Sequence, residues 1–159
     1  MRTLKALFEG LGLSHVVTYL NSGNVVFDSA LGAHDLTRLI EDELERTAGE
    51  KIPTLVKTSA EMIEIAESIP SEWGSNDGEQ TYVAYLFSDV DKPSLVSELP
   101  VKRQFMNIFH TPGAIVWNIK RENYNRSQIT KAVAHGSYAR MTTRNVNTAR
   151  KLAALCAEV

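Results

Sequence analysis

Twice along this chain, two runs of β-branched and aromatic residues close on a turn-forming segment, with apolar-faced helix patterns on either side. In the first instance Val16–Leu20 and Val25–Phe27 flank Asn21, Ser22, Gly23 and Asn24. In the second, Gln104–His110 and Ala114–Lys120 flank Thr111, Pro112 and Gly113. Asn, Gly and Pro supply the backbone angles that tight connections need, so each pattern predicts an antiparallel hairpin. Leu4, Leu7, Phe8 and Leu11 follow the i, i+3, i+4, i+7 spacing of a helix face, and Gly10 or Gly12 suits its end. Asp35 is placed to cap a second helix carrying Leu36, Leu39, Ile40 and Leu44 on one side. Ile52–Lys57 reads as a strand. Thr58 and Glu61 fit a capping box for a third helix with Met62, Ile65, Ala66 and Ile69, which Pro70 closes.

Residues 71–79, S-E-W-G-S-N-D-G-E, are polar, interrupted by two glycines and without periodicity, which predicts a linker. The expected division is an N-terminal half over 1–70 and a C-terminal half over 80–159. Beyond the linker Thr81–Phe87 is strand-like, and Pro93–Leu99 allows a short helix. Ser127 is expected to cap another short helix through Ala134, and a longer one is predicted from about Arg144 to Ala157. Each half reads helix, strand, strand, helix, with one further strand after these elements in the first half and before them in the second. The expected fold class is α+β, as two linked ferredoxin-like (split β-α-β) halves. The first half matches that unit in full only if a strand precedes Met1.

Composition narrows the function classes. The 159 residues are 43% hydrophobic and 23% charged, an ordinary globular balance. No apolar run approaches the roughly 20 residues of a membrane helix. The opening residues contain Glu9 and no small-residue cleavage site, so no secretory leader is expected. Cys156 is the only cysteine, which excludes a disulfide within the chain and a cysteine-based zinc site. His15, His34, His110 and His135 form no metal-binding pair, and neither a P-loop nor a G-x-S-x-G elbow occurs. Gly10, Leu11 and Gly12 lack the third glycine of a dinucleotide site. Glu41, Asp42, Glu43 and Glu45 point to different sides of their helix. The expectation is a cytoplasmic protein with no metal, no cofactor and no membrane association.

Charge is distributed unevenly behind a net of −2. Residues 1–119 hold nine Lys and Arg against seventeen Asp and Glu. Residues 120–151 hold eight cations (Lys120, Arg121, Arg126, Lys131, Arg140, Arg144, Arg150 and Lys151) against the single acid Glu122. Such asymmetry suits an anionic partner at one end of the molecule, or pairing with the acidic part of the same chain.

The stretches T-Y-L-N-S-G-N-V-V-F (18–27), N-R-S-Q-I-T-K (125–131) and T-T-R-N-V-N-T-A-R-K-L (142–152) together resemble the uncharacterised, mainly bacterial domain-of-unknown-function family number 1697. The resemblance covers essentially the whole chain. It implies two linked α+β halves of ferredoxin-like topology, and it implies no activity. Members of that family usually begin with a strand and a Gly-rich loop ahead of the first helix, whereas Met1 here starts inside that helix. A truncated or wrongly started chain is expected, the other option being a strand supplied by another chain, as in a homodimer.

Three segments are candidate ligand-binding sites. Asn21, Ser22, Gly23 and Asn24 either expose backbone N–H groups as an anion nest or serve hairpin chemistry alone. In 140–151, Thr143 is expected to cap the last helix and leave first-turn N–H groups to an anion. At about 100° per residue, Val146, Ala149, Leu152, Ala153 and Cys156 fall on the buried side. Arg144, Asn147, Thr148 and Lys151 then share an outer ridge beside Thr142, either an anion site or a solvated helix face. In 120–127, Arg126 and Ser127 join the binding set, and Tyr124 is either a base-stacking ring or a partly buried anchor. The leading functional expectation is a binding module for an anionic ligand, whether nucleotide, nucleic acid or phosphorylated metabolite. The alternatives are a small enzyme with a site between the halves using Arg144 and the Asn-rich turns, and a protein-interaction domain.

Overall fold

In a computed structural model, which describes residues 2–19, 23–133 and 139–158, the leading helix is α1 (Arg2–Gly10). It precedes the predicted hairpin of β1 (Ser14–Tyr19) and β2 (Asn24–Asp28), which pair antiparallel with Val17 opposite Val26 and Tyr19 opposite Asn24. Phe8 meets Phe27 edge to face, with ring centroids 5.6 Å apart. With Leu13, Val16, Leu36 and Ile40 they form one hydrophobic cluster, the burial that makes a two-stranded hairpin stable.

The second helix, α2 (Ala33–Ala48), corrects the expected cap. Gly32 occupies the N-cap position, and its carbonyl accepts the Leu36 N–H at 3.0 Å. Asp35 lies within the first turn, where its charge favours the helix dipole without closing the end. Residues 52–57 are not a strand. Pro53 offers no donor for a ladder, and the Thr54 N–H goes instead to Glu41 Oε2 at 2.7 Å. The third helix, α3 (Ser59–Glu67), starts as expected: Thr58 N–H donates to Glu61 Oε1, and Glu61 N–H to Thr58 Oγ1.

The remaining elements are β3 (Glu79–Leu86), α4 (Leu95–Glu98), β4 (Asn107–Thr111), β5 (Ala114–Lys120), α5 (Tyr124–Ser127), α6 (Ile129–Val133), β6 (Met141–Asn145) and α7 (Val146–Ala157). Four strands form a sheet in the order β4-β5-β3-β6, with every neighbouring pair antiparallel. The turn between β4 and β5 puts Gly113 at φ 91°, a left-handed angle that glycine adopts without strain. Ala84, Ile115, Trp117 and Ile108 share one sheet face and cluster with Leu95 and Val96 of α4 and Ile129 of α6. Val83 and Val116, opposite one another on the other face, are also fully buried. Burial on both faces explains why Ala114–Trp117 of β5 is an unbroken apolar stretch rather than an alternation.

By compactness the chain divides into Met1–Ile63 with Leu152–Val159, and Glu64–Lys151. The divisions fall within α3 and α7, and 71–79, expected to link two halves, belongs to the second unit. That segment is pinned by hydrogen bonds. Asn76 Oδ1 accepts the N–H groups of Gly78 and Glu79, and Arg121 Nε donates to the Asn76 carbonyl at 2.7 Å. The buried Asn118 donates to Glu79 Oε1 and Thr81 Oγ1, while Thr81 donates to the Gly74 carbonyl.

Two further expectations need correction. The helix predicted from Ser127 begins two residues later, as α6 at Ile129, because Ser127 ends the short α5 and Gln128 turns left-handed (φ 58°). Its expected end at Ala134 lies outside the described residues. The helix predicted from Arg144 begins two residues later, because 141–145 pairs with β3 as strand β6. Two adjacent β-branched threonines favour the extended chain, and ladder bonds to β3 fix it.

Candidate anion-binding surface

Of the first predicted site, Asn21 and Ser22 lie outside the described residues. Gly23 is exposed with φ 79°, the angle the turn requires. Asn24 is buried, and its Nδ2 donates to the Tyr19 carbonyl at 2.9 Å, across the hairpin. That amide serves the turn. Both residues belong to the first unit.

The predicted ridge on the last helix loses Arg144 and keeps Asn147, Thr148 and Lys151 on α7. Arg144 stands on β6 opposite Val83, so alternation sends Arg144 and Thr142 to one sheet face and Thr143 to the other. Thr143 therefore caps nothing, and its Oγ1 is buried without a hydrogen-bond partner among the described residues. Arg144 is half-buried and donates from Nη1 to the Thr143 carbonyl at 2.9 Å. Burial pulls its pKa downward, and the neighbouring Tyr85 works in the opposite direction. The helix start belongs to Asn145, whose Oδ1 accepts the Asn147 N–H at 2.8 Å while Nδ2 donates to Ser75 Oγ. The inner side follows the sequence pattern: Val146, Ala149, Leu152, Ala153 and Cys156 are all buried. Asn147 and Lys151 remain exposed along α7.

Ser127 is fully buried, donating to the Tyr124 carbonyl at 2.7 Å and accepting the Ile129 N–H. Its hydroxyl holds the α5–α6 junction and is closed to a ligand. Three arginines of the basic segment are likewise engaged. Arg140 lies 4.2 Å from the centre of the Phe87 ring and donates from Nε and Nη2 to Asp89, and these hydrogen bonds hold the Asp89 carboxyl below the usual carboxylate range. Arg121 and Arg150 donate to the carbonyls of Asn76 and Pro70.

The side chains of Lys120, Arg126, Lys131 and Lys151 are exposed, with no hydrogen bond or ion pair among the described residues. Folding adds two cations that lie outside the basic segment as the sequence delimits it. The Arg103–Phe105 turn packs on α5, and the Lys102 N–H donates to the Ser127 carbonyl at 2.7 Å. Lys102 and Arg103 are both exposed. Residues 99–133 carry six cations and one acid, Glu122, together with the exposed Tyr124. A charge count begun at residue 99 rather than 120 would have signalled the extension; the juxtaposition itself needs the tertiary fold.

Among the described residues no group of His, Cys, Asp and Glu is arranged to hold a metal ion, and no helix is long and apolar enough to cross a membrane.

Residues 1–117 match a family described as Protein of unknown function (DUF1697), so the match takes in Lys102 and Arg103 and stops short of α5. The fold is similar to that of a conserved bacterial protein from Streptococcus pneumoniae, at 21% sequence identity and a TM-score of 0.83, covering 98% of this chain and 88% of that one. No curated protein matches the chain.

Proposed function

The chain belongs to the DUF1697 family of proteins of unknown function, and on that premise we propose that it binds an anionic ligand on the basic surface around α5. One observation carries this reading: the Lys102–Ser127 backbone hydrogen bond brings the segment of Lys102 and Arg103 beside that of Arg126 in the second unit, with all three side chains exposed. Each exposed cation contributes little alone, but several of one sign on one surface raise the local concentration of an anion together. The cations that folding commits elsewhere, Arg121, Arg140, Arg144 and Arg150, contribute to structure rather than to this surface. Asn147 and Lys151 are exposed along α7 and belong to the proposal only as secondary contacts. The order β4-β5-β3-β6 supports a ferredoxin-like reading of the second unit, with β5 inserted between β3 and β4. The lone cysteine supports a reducing, cytoplasmic setting.

The test is a titration of the ¹⁵N-labelled full chain with inorganic tripolyphosphate at low salt. Amide shifts confined to 102–105 and 120–131, lost in Lys102→Glu with Arg126→Glu, are expected. Shifts confined to other segments, or no shift at millimolar tripolyphosphate, overturn the reading.

A further inference from the structure

We infer that the anion taken up around α5 is a single-stranded nucleic acid, its phosphates on Lys102, Arg103 and Arg126 and one base stacked on Tyr124. This rests on the anion-binding reading and names its ligand class. The cations come from two chain segments, Lys102 with Arg103 and then Arg126, all on exposed, long side chains, and among the described residues none of the three has a side-chain partner that would fix its direction. Such groups do not converge on a lone phosphate. They match a repeating charge, which gains by displacing counterions at several points at once.

Tyr124 supplies the second ingredient. It opens α5 at 39% exposure, between Arg121 and Arg126, and no other ring or cation lies on its face among the described residues. Four other rings of this unit are paired with one another: Trp73 packs on Phe109 and Tyr82 on Trp117. An open ring among cations is the pairing by which single strands are held without base-specific contacts. A duplex keeps its bases paired and stacked, so it offers none to Tyr124 without the cost of unstacking one.

Fluorescence anisotropy of the full chain with a labelled 20-mer of deoxythymidine tests the inference, beside a 20-base-pair duplex and unlabelled tripolyphosphate as competitor. The single strand is expected to bind at least tenfold more tightly than the duplex, and the affinity should fall steeply with salt. Tyr124→Ala should weaken the single strand about tenfold and leave the tripolyphosphate titration unchanged, while Tyr124→Phe should bind as the parent does. Upfield shifts of the Tyr124 ring signals on adding the 20-mer give the same reading without a variant. Equal affinity for duplex and single strand, or an unshifted Tyr124 ring, sinks the inference and leaves the anion-binding reading standing. Failure of both oligonucleotide and tripolyphosphate to bind removes both.

Discussion

The Asn145 side chain accepts the Asn147 N–H at 2.8 Å, and by doing so fixes the residue at which strand β6 becomes helix α7. The same carboxamide donates to Ser75 Oγ at 2.8 Å, tying the 71–79 segment to that junction. Replacing Asn145 by alanine removes a helix cap and a side-chain hydrogen bond together. A loss of about 1–2 kcal/mol in urea unfolding is expected. Asn145→Asp keeps the cap acceptor and places a negative charge at the helix start, so it should recover more than half of that loss. An alanine variant as stable as the parent contradicts the assignment.

Thr143 presents the reverse case. Its hydroxyl is buried with no partner among the described residues, while its backbone pairs with Ala84. Valine has nearly the same shape and no polar atom to bury. Thr143→Val is therefore expected to be neutral or stabilising by up to about 1 kcal/mol, and Thr143→Ser destabilising through the lost methyl group. A valine variant destabilised by more than about 1 kcal/mol means that the hydroxyl has a partner.

Acid should act on the Arg140–Asp89 pair. The guanidinium holds the Asp89 carboxyl below its ordinary value, so the folded state releases that proton more readily than the unfolded chain does. Stability from the pair is complete above the ordinary carboxylate pKa of about 4 and declines as pH falls through the lower folded value. Both groups are exposed, so the contribution is small. Urea midpoints measured from pH 7 down to pH 2.5 should fall less steeply below pH 4 in Asp89→Asn than in the parent. Parallel curves would assign the acid dependence to other carboxylates.

Cys156 provides a probe of the first unit. Burial raises its thiol pKa, and a hydrogen bond with Ser59 offsets this only in part. A raised pKa keeps the folded protein protonated where the unfolded chain ionises, so this group lowers stability as pH climbs above about 8.5. At pH 8 the native thiol should react with a disulfide reagent at least a hundredfold more slowly than the urea-unfolded chain. Comparable rates would place Cys156 at the surface.

Local signals in the sequence sufficed where the competing structures were few. The Thr58–Glu61 capping box forms as its spacing requires, because both partners lie within four residues and no distant group is needed. The two hairpins form for the same reason, with Tyr19 opposite Asn24 and Thr111 opposite Ala114. The inner stripe of α7 also follows from helical spacing alone. Charge was legible as composition but not as arrangement: Arg126 was visible within the basic segment, whereas Lys102 joins it only through the Ser127 carbonyl.

The segment 141–145 marks where sequence stops deciding. Its Thr-Thr-Arg-Asn pattern supports either a capped helix start or a short strand, since threonine serves both. The open edge of β3 settles it, because ladder hydrogen bonds from a strand distant in sequence outweigh the small difference in local preference. The sequence by itself determined the alternation of helices and hairpins, the buried stripes and the surplus of cations near the C-terminus, all set by neighbours a few residues apart. Tertiary pairing alone decided that Arg144 would lie on a sheet, that Ser127 would be sealed inside, and that Lys102 and Arg103 would stand beside α5. These outcomes depend on contacts between segments far apart along the chain, for which local patterning carries no energy difference.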